Sequence, residues 1–161
     1  MIYGIDPGLQ GTGLAIFYEG KLRESSVHYP KGDSWEQRAA GLYYHLCGVF
    51  RTARHSFPSK EHVVVIESPQ FFGSRHGDMV ARSGDLVKLS YAAAMSFAAA
   101  LSEGWTPVTV EPNTWKGSMS KTQVITRVRK LLKEEAKGLR THAWDAAGLV
   151  LWYRGKFNGR K

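Results

Sequence analysis

Residues 141–153 (THAWDAAGLVLWY) form an almost wholly apolar run that nevertheless carries His142 and Asp145. A spacing of three puts both on one face of a helix, and a carboxylate in so apolar a run is costly to desolvate unless something pairs with it. The run offers no Lys or Arg one turn away, so two partners stay open: a hydrogen bond between the two side chains, or a metal ion. Two more carboxylates stand just beyond strand ends, where ligands of open α/β sheets gather. These are Asp6, near the end of residues 1–7 (MIYGIDP), and Glu67, closing residues 62–67 (HVVVIE). Each has a plainer alternative: Asp6 as acceptor for the amides of its Pro-Gly turn, Glu67 as a side chain leaving the sheet for solvent. As a set, three carboxylates and an imidazole suit Mg2+ or Mn2+, the imidazole tilting toward Mn2+. Zinc fits poorly, because Cys47 is the only cysteine and a closed zinc site wants Cys and His at tight spacing. Carboxylates gathering two divalent ions about 3.5–4 Å apart describe in-line attack of an activated water on a phosphodiester.

The elements that would position these groups follow from apolar periodicity. Residues 1–7, 12–18 (TGLAIFY) and 21–29 read as three strands, the last two joined by a hairpin at Glu19-Gly20. From Trp35 to Phe50 the apolar spacing is helical, with Asp33 or Ser34 as cap. HVVVIE has four consecutive β-branched residues, the pattern of a strand buried on both faces with helices as neighbours. A Gly-containing loop (68–84) leads to an Ala-rich helix over residues 85–102, apolar nearly all round and so expected to be buried. Residues 105–110 form the last strand. Two helices follow, 121–137 basic and amphipathic, 140–153 almost wholly apolar. This order describes one α/β domain over residues 1–161 with a mixed sheet and no internal boundary, residues 154–161 forming a basic tail.

Charge sharpens the reading. The 161 residues carry 22 Lys plus Arg and 14 Asp plus Glu, a net charge of +8. Residues 1–115 hold 10 basic and 11 acidic side chains, residues 116–161 hold 12 and 3, so the final third supplies the whole excess. A concentrated basic face suits a polyanion, since each cation set against a phosphate releases counterions; a solvated helix face is the bland alternative. With 43% apolar residues the chain can bury a core without staples. A lone cysteine excludes an internal disulfide and points to a reducing compartment or to indifference to redox. Residues 1–18 interrupt any signal-peptide core with Asp, Pro and Gly, and no stretch approaches the roughly 18 apolar residues of a membrane span. The expectation is a cytoplasmic protein without a membrane partner.

The segments GIDPGLQGTGLAIF (4–17), VVVIESP (63–69), EPNTWKGSMSKTQVITRVRKLL (111–132) and HAWDAAGLVL (142–151) together resemble, in order and spacing, the four signature regions of RuvC-type Holliday junction resolvases. The resemblance spans essentially the whole chain. It implies an RNase H-like fold with a mixed five-stranded sheet flanked by helices, a homodimer, and two Mg2+ ions, with Mn2+ as substitute, used to nick four-way or other branched DNA symmetrically. By the same resemblance Asp6, Glu67 and Asp145 are metal-binding carboxylates, and His142 stands where many members have a fourth. Lys116 and Lys121 match two lysines required for cleavage. Phe71 or Phe72 matches an aromatic residue near the junction crossover, where stacking on a base is worth about 1–3 kcal/mol; anchoring the loop is the competing role. Arg75, Arg82 and Lys88 are candidate DNA-backbone contacts, Arg127, Arg129, Lys130 and Lys133 a basic helix face, and 92–100 a stretch of core or dimer contact. Other nucleases share this fold class, as would a non-catalytic junction-binding protein. A nucleotide-binding ATPase of the actin type, whose phosphate loop also resembles GIDPG, needs two lobes and about twice this length, so no nucleotide cofactor is expected.

Overall fold

The computed structural model describes residues 1–58, 61–69 and 84–157. Its strands are β1 (Ile2–Asp6), β2 (Thr12–Tyr18), β3 (Lys21–His28), β4 (Val63–Glu67) and β5 (Thr106–Val110). The helices are α1 (Trp35–Ser56), α2 (Asp85–Ser102), the single turn α3 (Pro112–Trp115), α4 (Lys121–Leu132) and α5 (Ala143–Tyr153), with a 3-10 turn at Lys133–Ala136. One five-stranded sheet runs in the order β3-β2-β1-β4-β5. The β1–β2 and β2–β3 pairs are antiparallel, and β1–β4 and β4–β5 are parallel. The expected mixed sheet with flanking helices is what the chain forms.

Side chains alternate across the strands, and the alternation divides the core. Tyr3, Ile5, Leu14, Ile16, Val64 and Ile66 pack under α1 and α2. Ala15, Phe17, Val63 and Val65 pack under α4 and α5. Val63 to Ile66 are all buried, as four β-branched residues in a strand covered on both faces require.

Boundaries shift by a few residues for physical reasons. Ser34 caps α1 through the Gln37 amide, and the helix continues to Ser56, past the last residue of its apolar stripe. The basic helix stops at Leu132, where Lys133 turns to a φ of 52°. Ser120 and Gln123 form a capping box at its start. The turn α3, which begins on a proline, was not expected. The expectation of a fully buried α2 is corrected: only Ala92, Ala93, Ser96, Ala99 and Ala100 are buried, while Val87, Leu89, Tyr91, Phe97 and Leu101 are exposed. An all-apolar helix can be covered on one side by its own domain and present the other outward. No helix among the described residues is long and apolar enough to cross a membrane.

Candidate active site

Strand register sets the first two carboxylates. Ile5 pairs with Ile66 across the parallel β1–β4 ladder, so Asp6 and Glu67 follow as the next residues of neighbouring strands. Both fall on the face that α4 and α5 cover. Asp6 is not consumed by its turn, because Thr12 Oγ1 accepts from the Gly8 amide (3.2 Å) and donates to the Gly8 carbonyl (2.8 Å). Nor does Glu67 exit to solvent: its side chain is only 16% exposed.

Two glycines bring α5 onto this edge. A Cβ on Gly4 would lie 2.0 Å from the Ala146 carbonyl oxygen, and one on Gly13 would lie 2.2 Å from that of His142. Any side chain at either position would push the helix off the sheet. Because both are glycine, the first turn of α5 lies against β1 and β2, and His142 Nδ1 is 2.8 Å from Asp6 Oδ2. The i, i+3 pair therefore does not close on itself. His142 reaches β1, and Asp145 forms an ion pair with Lys121 from the start of α4. Glu67 Oε2 accepts from Trp115 Nε1 at 2.7 Å, and Lys116 Nζ lies 3.3 and 3.4 Å from its two oxygens.

The electrostatics are those of a carboxylate cluster held together against repulsion. Burial pushes the Glu67 carboxyl above the usual range; Lys116 opposes this and the charge of Asp6 adds to it. Burial also raises Asp145, again with Asp6 adding and Lys121 opposing. His142 is raised by its hydrogen bond to Asp6, with burial acting the other way. Asp6 thus perturbs both other carboxylates, which places all three in one electrostatic neighbourhood.

Among the described residues no three His, Cys, Asp or Glu side chains converge on one metal position. Instead each carboxylate has its own partner: Asp6 the imidazole of His142, Glu67 the ammonium of Lys116, Asp145 that of Lys121. One atom is left over, since Asp145 Oδ1 is buried with no hydrogen-bond partner. An orphaned buried carboxylate oxygen, oxygen-rich donors and mutual repulsion fit a hard divalent cation.

Of the other expected site residues, Lys116 and Lys121 stand at the cluster. Lys88 lies in the first turn of α2, with its Nζ 3.1 Å from Asp85 Oδ1. Phe71, Phe72, Arg75 and Arg82 lie outside the described residues. Sequence reasoning missed Trp115, fully buried with its one polar atom on Glu67. The available signal was the Trp-Lys pair itself, since a buried indole N–H needs an acceptor. It also missed that Arg129 is seated 5.4 Å over the ring of Trp144, the neighbour of Asp145.

No family model matches the chain, and no curated protein does. Solved structures match over nearly its whole length. Thermus thermophilus RuvC in complex with a Holliday junction substrate superposes with a TM-score of 0.69 at 21% identity, covering 95% of this chain and 91% of that one. The chain has the fold of RuvC. A second T. thermophilus RuvC structure gives the same TM-score and identity. The yeast mitochondrial Holliday junction resolvase Ydc2 gives 0.57 at 16% identity, over 97% of this chain and 77% of that one. At these identities it is the RuvC fold that is shared.

Proposed function

We propose that this chain is a metal-dependent endonuclease of the RuvC type that resolves four-way DNA junctions by paired nicks. The observation that carries the reading is that Asp6 of β1 raises the carboxyls of both Glu67 on β4 and Asp145 on α5, each of these two paired with a lysine, Lys116 or Lys121, at one sheet edge of a fold shared with a junction-bound resolvase. Asp6, Glu67, Asp145 and His142 would hold two Mg2+ ions, or Mn2+ in their place. When bound, such ions polarise the phosphodiester and supply a nucleophilic water at neutral pH.

The chain's own residues do the rest. Lys116 and Lys121 keep the carboxylates in place by ion pairing, and each ammonium has further N–H donors for a phosphate oxygen. Lys121 is 43% exposed at its side chain, so it can reach a backbone that lies across the edge. His142 accepts or holds a proton according to its contact with Asp6, and as a ligand it lowers the negative charge of the set relative to a fourth carboxylate. Arg129, fixed over Trp144 without a carboxylate partner among the described residues, supplies positive charge beside the same helix start. Phe71, Phe72, Arg75, Arg82 and Lys88 complete the proposed DNA contacts. The exposed stripe Val87, Tyr91 and Leu101 on α2 supports a homodimer whose two sites act on opposite strands. The buried Cys47 suits a reducing cytoplasm.

A synthetic four-way junction tests the reading. Mg2+- or Mn2+-dependent nicking is expected, with little action on linear duplex, and Asp6→Asn and Glu67→Gln should bind the junction without cutting it. Equal cleavage of linear duplex or of an RNA–DNA hybrid would overturn the junction reading. Metal-dependent cutting undiminished in both variants would overturn the site.

A further inference from the structure

We infer that the segment just after α5, Arg154 to Phe157, braces the active-site wall, with Phe157 as a positioning residue that fixes the Glu67 carboxylate through Trp115. The inference rests on the proposed role of Glu67 as a metal ligand, and what carries it is a line of contacts.

After α5 the backbone folds back on the helix: the amides of Lys156 and Phe157 donate to the Leu151 carbonyl at 2.9 and 3.2 Å. Two arginines hold the return. Arg154 Nη1 donates to the Gly20 carbonyl at 2.7 Å. Arg127 Nε donates to the Phe157 carbonyl, with its guanidinium 5.8 Å over the Phe157 ring. The Phe157 ring is wholly buried, 5.4 Å from the Trp115 ring at 58°. Trp115 is wholly buried too, and its indole N–H is 2.7 Å from Glu67 Oε2. Lys116 Nζ lies 5.0 Å over the same indole and within reach of both Glu67 oxygens.

Trp115 is therefore the only uncharged donor to Glu67 in the structure as described, and its ring orientation is set by what packs on it. On one side stands α5 at Gly148, too close for any side chain; another contact is Phe157. Shrinking Phe157 opens space beside the indole, lets the ring turn, and leaves Glu67 with the ammonium alone. The tail was conspicuous in the sequence for its charge. In the fold its apolar residue reaches the site, and Arg127 and Arg154 tie that residue down.

The test measures Mn2+ binding by calorimetry on the full chain, beside junction nicking. Trp115→Phe removes the N–H and should weaken Mn2+ binding about 10–100-fold, the range for groups that orient metal ligands. Phe157→Leu and Arg127→Gln, one contact further out, should weaken it less, by no more than about 10-fold, the low end of that range. Phe50→Leu, a core change under the opposite sheet face, should lose stability without losing Mn2+ affinity. Phe157→Leu should add nothing in the Trp115→Phe background, because it acts through that ring. Wild-type affinity in both Phe157→Leu and Arg127→Gln, or the same loss with and without the indole N–H, would overturn the inference and leave the nuclease reading standing. A wild-type chain that binds no Mn2+ would overturn both. If Phe157→Leu does not fold, Arg127→Gln, which leaves the core intact, decides.

Discussion

Asp145 opposes stability and function most directly. It is 8% exposed at its side chain, is paired with a lysine that is 43% exposed, and has one oxygen with no hydrogen-bond partner among the described residues. Its carboxyl is held above the usual range by burial and by Asp6. A group whose folded value is raised contributes stability in acid that is lost as pH climbs through that value. Without metal, then, the charged Asp145 weakens the fold at neutral pH. Asp145→Asn in EDTA should raise the melting temperature near pH 7 by roughly 2–4 °C, what about 1 kcal/mol is worth at this size. Melts at successive pH values below about 7 should show the gain shrinking toward acid, as the wild-type carboxyl takes up a proton. A gain of equal size at every pH would show that charge is not its source. The same variant should lose junction nicking by about 10–100-fold or more and lose the Mg2+-induced rise in melting temperature that the proposed site predicts for wild type.

At the scale of elements, the site depends on how closely α5 lies on the sheet. Gly13 has no room for a Cβ, with the His142 carbonyl oxygen 2.2 Å from where it would stand. Gly13→Ala must move the start of α5, at a cost of about 1–3 kcal/mol as in other overpacked cores. It should also cut nicking by about 100-fold at a shift near 1 Å, since His142 and Asp145 move away from Asp6. Circular dichroism melts and junction kinetics on one preparation check this. A stable Gly13→Ala protein with wild-type rates would show that the close approach is not what sets the site. The loss should exceed that of a core truncation under α1, which destabilises the fold without moving α5.

For the whole molecule, α2 is a helix that the described residues leave well exposed on one side, apart from the contact of Tyr91 with Trp35. Its buried stripe is small, Ala92 to Ala100, while Tyr91 and Leu101 on another face are 45% and 55% exposed. In the proposed homodimer two copies would pair along such a face; a stable interface takes about 1,200–2,000 Å² in all. Leu101→Glu should leave the domain folded, halve the mass seen by sedimentation, and convert paired nicks into single ones. An unchanged mass would place any dimer contact elsewhere. The α2 pattern had promised full burial, and hydrophobicity alone cannot separate a core face from a docking face, because both exclude water for the same reason.

Much of the architecture was legible because it rests on local spacing. Four β-branched residues before Glu67 mark a doubly covered strand, and the Ser120–Gln123 capping box starts α4 where the amphipathic pattern does. That Asp6, Glu67 and Asp145 need compensating partners was legible too, since charge beside or within an apolar run needs a reason. The partners were not. The tertiary structure gave His142 to Asp6, Asp145 to Lys121, and Glu67 to Trp115 and Lys116, pairings that span 24 to 136 residues. Sequence fixes which side chains must be compensated, because desolvation is a property of each group. Which cation compensates which carboxylate depends on strand register and on the approach of α5 at two glycines, and these exist only once the chain has folded.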